Sequence, residues 1–446
     1  MAQAGANSWD LEADVVVIGS GAAGLPAAVK ARDQGASVIV VEANYDIGGH
    51  AIVSGGNVPL GGGTSAQKKY GITDSPDTVF SDLTDWTVVQ NNGWPDYRYN
   101  DREVMRAFAD HCAPTFEFLL ANGVEFKAIP PDNQGGHNVG NSAPRENHAF
   151  WTKGAGYESP NNRPGTGVIR PLENSARAKG AKFLLSYKMT GFVREGQKSG
   201  AILGVTVEYA PRIMPGQSTP LKSFRSDGNI DSTKATMRIR AKKGVIVATG
   251  GMTSDVNFRR MFDPRLTEVL TVAGEPYSYQ DASGERAAME IGASLWGLVN
   301  QTLENGDNIR TQRVLGTKWN YMTWELENPI FPLVRAVGLS VKDWHNLILV
   351  NQVGKRFYDE TKGDYPHGNV SGDIDPYTPN DYRNSENIHY HPSNYNFFNA
   401  AVAMNEYSAA PEYSAGPIWA IFDSEAVARN KWNVEPPYVD PDGYFF

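Results

Sequence analysis

A run of β-branched residues, Val15–Val16–Val17–Ile18, enters Gly19-x-Gly21-x-x-Gly24 and continues into an alanine-rich stretch, Leu25–Gln34. No other feature restricts the fold as strongly. A continuous apolar run is what a parallel strand buried on both faces requires. Gly35 ends the helix, and Ser37–Val41 forms a second buried strand that runs into Glu42. Strand, turn, helix and strand in about thirty residues make one crossover unit. Within it Gly19 permits the tight turn, and Gly21 lets the backbone approach a pyrophosphate at the helix N-terminus. Gly24 lets the helix pack close to the strand. Glu42, eighteen residues beyond the last glycine, offers a carboxylate to ribose hydroxyls. This pattern predicts a dinucleotide-binding domain.

The rest of the chain reads as further α/β structure. Residues Arg102–Asn122 predict a helix with Val104, Phe108, Phe116 and Leu119–Leu120 as its apolar stripe and Gly123 as its stop. Asn133–Tyr157, rich in Gly and Asn, reads as a polar surface loop. Gly165–Lys179 predicts a helix, and strands follow at Lys182–Tyr187, Met189–Arg194 and Leu203–Glu208. A polar loop over 211–236 precedes the strand Val245–Ala248. Beyond residue 275 the composition shifts towards Trp, Tyr, Asn and Pro, which places a boundary near 272. The expected fold class is α/β, with a Rossmann-like dinucleotide domain over 1–272 and an inserted α+β substrate-cap domain over 273–446.

Three features choose among dinucleotides. Gly48–Gly49 follows the acidic residue closely, Ser54–Gly55–Gly56 extends the glycine-rich path, and Gly244–Ala248 leads into Thr249–Gly250–Gly251. Together they resemble the flavoprotein family of fumarate reductase, succinate dehydrogenase and the 3-ketosteroid dehydrogenases, nearest in pattern to the last. Further along, Gly204–Val207 resembles the family's strand leading to its ATGG segment. Ser283–Gly284 before the helix Arg286–Ala293 resembles its glycine turn against the cofactor. Asn351-x-x-Gly354-Lys355-Arg356-Phe357-x-Asp359-Glu360 resembles its VNxxGKRFxxE segment. The resemblance implies FAD as cofactor, held by Gly19, Gly21, Ala22, Ala23, Gly24, Glu42, Ala43, Gly48, Gly49, His50, Ser54, Gly55, Gly56, Val207, Ala248, Thr249, Gly250, Gly251, Ser283 and Gly284. Covalent members of the family attach flavin through a histidine at about the position of His50. Here the following glycine pair arrives one residue earlier, as in the ketosteroid-type enzymes, so a non-covalent contact is favoured over a covalent link, and a merely structural role stays open.

The departures bear on substrate. The fumarate reductases carry a proton-donating arginine where Asp364 stands and a dicarboxylate-binding histidine where Glu304 stands. An anion at either place repels a C4 dicarboxylate. The expected reaction adds or removes two hydrogens across a carbon–carbon bond beside a carbonyl, on a small hydrophobic, steroid-like ketone. A tyrosine or similar group handles one proton while the flavin exchanges hydride. The rivals are an ene-reductase of an unsaturated acid with an external electron donor, and a non-catalytic binding relative of the fold. The catalytic acid or base is unassigned; Arg356, Glu360, Tyr321 and His391 are weak candidates. Arg356 and Glu360 serve equally as a buried ion pair bracing the cap, and Trp319, Tyr321 and Trp324 serve equally as core. His389-x-His391 lacks a third ligand, so no metal site is expected.

Composition narrows the classes further. The net charge of −9 argues against nucleic acid as a partner, and no apolar run reaches the ~18 residues of a membrane span. The single cysteine, Cys112, rules out an intrachain disulfide and reads as inert. Met1–Asp10 has neither a basic nor an apolar region, which predicts a cytoplasmic chain; export after removal of a leader ahead of residue 1 is the alternative. The chain closes on Phe445–Phe446, where the resembled family continues back to its FAD domain. A longer gene product, or a second chain completing the fold, is the expectation.

Overall fold

The computed structural model describes residues 8–88, 101–132, 142–150, 165–196, 199–213, 217–262, 271–272, 279–295, 314–315, 346–350, 354, 356, 419–432 and 434–435. The chain divides into two units, Met1–Phe258 with Tyr277–Leu298, and Arg259–Pro276 with Val299–Phe446.

The first unit is built on β1 (Leu11–Ile18), α1 (Gly24–Asp33) and β2 (Val38–Glu42). Then come α2 (Gly49–Ile52), β3 (Asn57–Pro59), α3 (Ser65–Lys69), α4 (Pro76–Val88), α5 (Arg102–Ala121) and β4 (Glu146–His148). After α6 (Gly165–Ala178) run β5 (Lys182–Leu185), β6 (Tyr187–Arg194), β7 (Ile202–Tyr209) and β8 (Thr236–Val247). They form a six-stranded mixed sheet in the order β5-β2-β1-β8-β7-β6. Its parallel part pairs Val15 with Val38 and Ile18 with both Val41 and Val247. The chain steps outward from β1 through β2 to β5, then returns to the other side of β1 with β8. That reversal is where an open α/β sheet binds its ligand, outside the carboxyl ends of the strands. β6 and β7 turn back on β8 antiparallel, and their apolar faces join Val16, Ile18, Ile39, Val41 and Leu184 in one core.

β8 is longer than the run Val245–Ala248 suggests. Met237, Ile239 and Ala241 are buried, while Thr236 and Arg240 are exposed and Arg238 is half-buried, so its first half alternates as a half-buried strand does. Helix α5 ends where expected, with Gly123 at φ +86°, and keeps Phe116 and Leu119 of the expected stripe but not the rest. Its buried face is Ala109, Cys112, Phe116 and Leu119, spaced at helical intervals; Val104, Phe108 and Leu120 are exposed. Cys112 is a buried free thiol there, its pKa pushed up by burial. The expected surface loop Asn133–Tyr157 is also revised. Its Glu146–His148 is a strand paired antiparallel with Asn57–Pro59, and buried Asn147 donates to the Val58, Leu60 and Arg145 carbonyls. An amide with several backbone partners does not need water there. Residues 133–141 and 151–157 of that segment lie outside the described residues.

α7 (Val256–Phe262) follows, then β9 (Thr271–Val272) and α8 (Ser283–Glu290), of which α8 belongs to the first unit. In the second unit β10 (Val314–Leu315) pairs parallel with β9. β11 (Leu347–Val350) pairs antiparallel with β12 (Trp419–Phe422), which leads into α9 (Ser424–Asn430), capped by the Asp423 carboxylate on the Glu425 and Ala426 N–H groups. Among the described residues no helix is long and apolar enough to cross a membrane.

Candidate functional site

The carboxyl ends of β1 and β8 meet at Gly19. Its N–H donates to the Val41 carbonyl at 2.7 Å, and its φ of +96° is open only to glycine without strain. A Cβ on Gly19 would stand 2.2 Å from the Ala248 carbonyl oxygen, and one on Gly24 2.0 Å from the Gly19 oxygen. Gly21 differs: the nearest atom to a Cβ there is the Gly48 oxygen, 3.8 Å away. Two glycines close the turn, and the middle one has room for a methyl group in ordinary contact with Gly48. Ala22 and Ala23 are exposed, and α1 begins with no side-chain cap and no acidic residue in its first turn. Of the first helical residues, Leu25 gives its N–H to the Gly21 carbonyl at 3.2 Å and Pro26 has none, so the Gly24 N–H is the one left to a ligand or to water, in a field that favours an anion.

Glu42 ends β2 beside this turn, buried. Its Oε2 accepts from the Ser20 N–H at 2.9 Å and the Ser20 hydroxyl at 2.5 Å, and Oε1 from the Asn44 N–H at 2.9 Å. Burial holds its carboxyl above the usual range; the Ser20 and Asn44 bonds pull the other way, and nearby Asp46 adds to the rise. Ser20 also accepts from the Gly48 N–H at 3.1 Å, so one buried hydroxyl joins the first glycine turn, Glu42 and the second glycine segment. Asp46 is neutralised by buried Arg170, Nη2 to Oδ2 2.8 Å, and Arg170 reaches Glu173 at 2.7 Å. Ala43 is exposed.

The second glycine segment lies against the first. Gly48 has φ +109°, and the Gly21 Cα is 3.7 Å from where a Cβ on Gly49 would be. His50 follows, half-buried, with Nδ1 3.1 Å from the Gln280 amide nitrogen. The Ser54 hydroxyl donates to the Ala51 carbonyl and accepts from the Gly56 N–H, closing the turn that carries exposed Gly55 into β3. Beyond β8 the third segment runs Ala248, Thr249, Gly250 and Gly251, with the Ala248 N–H on the Ile18 carbonyl at 2.7 Å. Ser283 and Gly284 open α8 against it, and a Cβ on Gly284 would lie 2.1 Å from the Thr249 hydroxyl. Gly284 thus seats α8 on the end of β8.

Three glycine segments that are far apart in the chain therefore line one groove at the sheet's reversal point. The Val207 side chain is buried completely in the core, opposite Met189 and Met237. Arg356 lies in the second unit, exposed, and its backbone forms a bridge with Val350. Tyr321, Glu360 and His391 lie outside the described residues, as do Glu304, Asp364, Trp319, Trp324 and His389. Sequence reasoning passed over Ser20, Asn44, Arg170 and Gln280. Only Ser20 carried a signal, a hydroxyl inside the glycine turn.

Residues 14–297 match the protein family described as FAD binding domain. The chain belongs to that family. Its cofactor is FAD. The groove fits this group on its own geometry: space is kept clear over Gly21 and Gly49, α1 starts uncapped, and Glu42 Oε1 keeps a lone pair beyond the one Asn44 uses. Among relatives, the acrylate reductase flavoprotein subunit of Shewanella woodyi is 28% identical over 60% of this chain and 45% of its own length. A 3-oxosteroid 1-dehydrogenase of Mycobacterium tuberculosis is 24% identical over 78% and 62%. The 3-ketosteroid-Δ4-(5α)-dehydrogenase of Rhodococcus jostii, solved with 4-androstene-3,17-dione, superposes with a TM-score of 0.52 at 22% identity over 80% of this chain and 63% of that one. At that identity the likeness speaks for the FAD-binding flavoprotein fold alone. The chain spans about half the length, or less, of the first three curated relatives it matches.

Proposed function

We propose that the chain is an FAD-dependent oxidoreductase that removes two hydrogens across a carbon–carbon bond beside the carbonyl of a hydrophobic, steroid-like ketone. The observation that carries the cofactor half is the space kept clear over Gly21 between two backbone segments. There the N-terminus of α1 takes the diphosphate and Glu42 accepts from the ribose hydroxyls. Gly48–His50 and Gly250–Gly251 continue the path towards the ring. Bound FAD supplies two-electron transfer; the protein's part is to hold the substrate carbon against the ring and exclude water. For the substrate half, the relatives are named for 3-oxosteroids, acrylate and fumarate, all of which carry a carbonyl or carboxyl group. Asp364 and Glu304 support the uncharged member of that set, because a carboxylate repels a dicarboxylate. Ene-reduction of an unsaturated acid is the second reading, favoured by the acrylate reductase subunit. Either reading needs an external electron partner.

The deciding experiment gives the purified, FAD-loaded chain a 3-keto steroid with an artificial electron acceptor, and separately an enoate with a reduced dye. Turnover in the first arm alone is expected. Turnover in the second alone, or efficient reduction of fumarate, overturns the steroid-like assignment; failure in both overturns the activity.

Glu42 gives the cofactor half its own test. Ribose hydroxyls favour the ionised carboxyl, so binding lowers a pKa that burial holds up in the apoprotein, and a proton is released. FAD affinity is therefore expected to strengthen as pH rises through the raised apoprotein value and to level off above it. Without FAD the sign is opposite for stability: Glu42's contribution is present below the ordinary carboxylate range and lost as pH rises through the raised value. Glu42→Ala should weaken FAD by about 1.5–3 kcal/mol and flatten the pH dependence, read by fluorescence titration of FAD. Unchanged affinity contradicts the assignment.

A further inference from the structure

Gln280 reaches across the groove to His50, 230 residues away in sequence, from a backbone that is held twice. Its N–H donates to the Ser254 hydroxyl at 3.3 Å and its carbonyl accepts from the Ser254 N–H at 2.9 Å. The Ala282 N–H on the Gly251 carbonyl, 3.2 Å, continues the stitching. The side-chain amide is then oriented by its own oxygen: the buried Thr253 hydroxyl donates to Gln280 Oε1 at 2.7 Å. With Oε1 occupied as acceptor, the amide nitrogen is the end that meets His50 Nδ1, at 3.1 Å. An amide nitrogen only donates, so Nδ1 is the acceptor. A neutral imidazole whose Nδ1 accepts carries its proton on Nε2.

We propose that Gln280 is a positioning residue which holds His50 as the Nε2–H tautomer, so that this ring meets the cofactor as a hydrogen-bond donor and not as a nucleophile. The inference rests on the reading that Gly48–His50 lines the FAD path. A carbon–nitrogen bond to Nε2 needs a lone pair there; in this tautomer the lone pair is on Nδ1 and engaged by Gln280. FAD is accordingly bound without a covalent link through His50. Burial lowers the pKa of His50, which keeps the ring neutral and agrees with an accepting Nδ1. Gln280 thus ties together the second and third glycine segments and fixes what His50 offers between them.

The test reads the tautomer directly. Apoprotein with ¹⁵N-labelled histidine rings is measured by long-range ¹H–¹⁵N correlation, with His50→Gln assigning the His50 signal among the eight histidines. The expected pattern is a pyridine-like Nδ1 and a pyrrole-like Nε2. Gln280→Leu should lose that preference. Gln280→Glu, of nearly the same shape, should invert it, because a carboxylate accepts from Nδ1–H; if the leucine variant does not fold, the inversion decides. A pyrrole-like Nδ1 in the unaltered protein, or no inversion in Gln280→Glu, overturns the proposal. FAD titration is run separately on the same samples: an unaltered protein that does not bind FAD defeats the cofactor reading while leaving the tautomer result to stand. In the loaded protein, acid precipitation should release all flavin to the supernatant, and about tenfold weaker FAD binding is expected for Gln280→Leu. Flavin retained in the precipitate overturns the donor role.

Discussion

Replacing Arg170 by methionine is expected to lower the stability of the first unit by about 3–5 kcal/mol, because it leaves buried negative charge without its partner. The Asp46 side chain is 0% exposed, and its Oδ2 meets Arg170 Nη2 at 2.8 Å. Glu173, equally buried, loses the same guanidinium but keeps Arg177, whose Nε donates to its Oε1 at 2.8 Å. The deficit therefore falls on Asp46. Burial works against the charge of Arg170, yet Asp46 and Glu173 outweigh it and hold the proton more firmly than in a free arginine. Its guanidinium also lies 4.6 Å from the centre of the Phe224 ring. The comparison that isolates charge is Arg170→Met with Asp46→Asn, which should recover much of the loss in urea denaturation, since the pair's own net worth is small. A loss under about 1 kcal/mol in the single variant would show that water relieves Asp46. The site feels the same change. With Arg170 gone, Asp46 faces Glu42 unneutralised, the Glu42 carboxyl rises further, and ribose binding weakens at neutral pH.

What was legible in the sequence was what local sterics dictate. Gly19, Gly21 and Gly24 could be assigned separate tasks because each task is a clash or a gap within a few residues of chain. β1 and β2 were legible because four or five apolar residues in a row fit only a strand covered on both faces. The first half of β8 shows the alternation of Met237, Ile239 and Ala241 with polar neighbours, which an expectation built on the apolar run Val245–Ala248 leaves out. In α5 Phe116 and Leu119 were legible, but small Ala109 and Cys112 complete the buried stripe, whereas large Phe108 is exposed. Glu146–His148 had no such signal, since a three-residue strand containing Asn is made by its partner Asn57–Pro59 and by the amide of Asn147. Ser20, Arg170 and Gln280 act through partners 22 to 230 residues away, and no local pattern announces them. That the three glycine segments meet was therefore readable, and the side chains that brace them were not.

The same methyl group, added at two glycines three residues apart, should separate folding from binding. At Gly24 the added Cβ would lie 2.0 Å from the Gly19 carbonyl oxygen, a backbone atom directly after β1. No side chain can swing aside, so α1 must move off the sheet. Gly24→Ala is expected to cost about 1–3 kcal/mol or more of stability. At Gly21 the nearest atom is 3.8 Å from the Cβ, an ordinary contact, and no positive φ is required there. The apoprotein with Gly21→Ala should unfold at the same denaturant concentration or slightly higher, because alanine restricts the unfolded chain more than glycine does, by about 0.4–1 kcal/mol. Its methyl group, however, stands in the space that the diphosphate needs in order to reach the backbone. FAD affinity is expected to fall about 30-fold or more, roughly 2 kcal/mol. Urea denaturation of the two apoproteins and fluorescence titration with FAD read the two effects independently. If Gly21→Ala destabilises the apoprotein as much as Gly24→Ala does, the open space over Gly21 is not there. If it leaves FAD affinity unchanged, the diphosphate lies elsewhere, and the whole assignment of the first glycine turn falls with it.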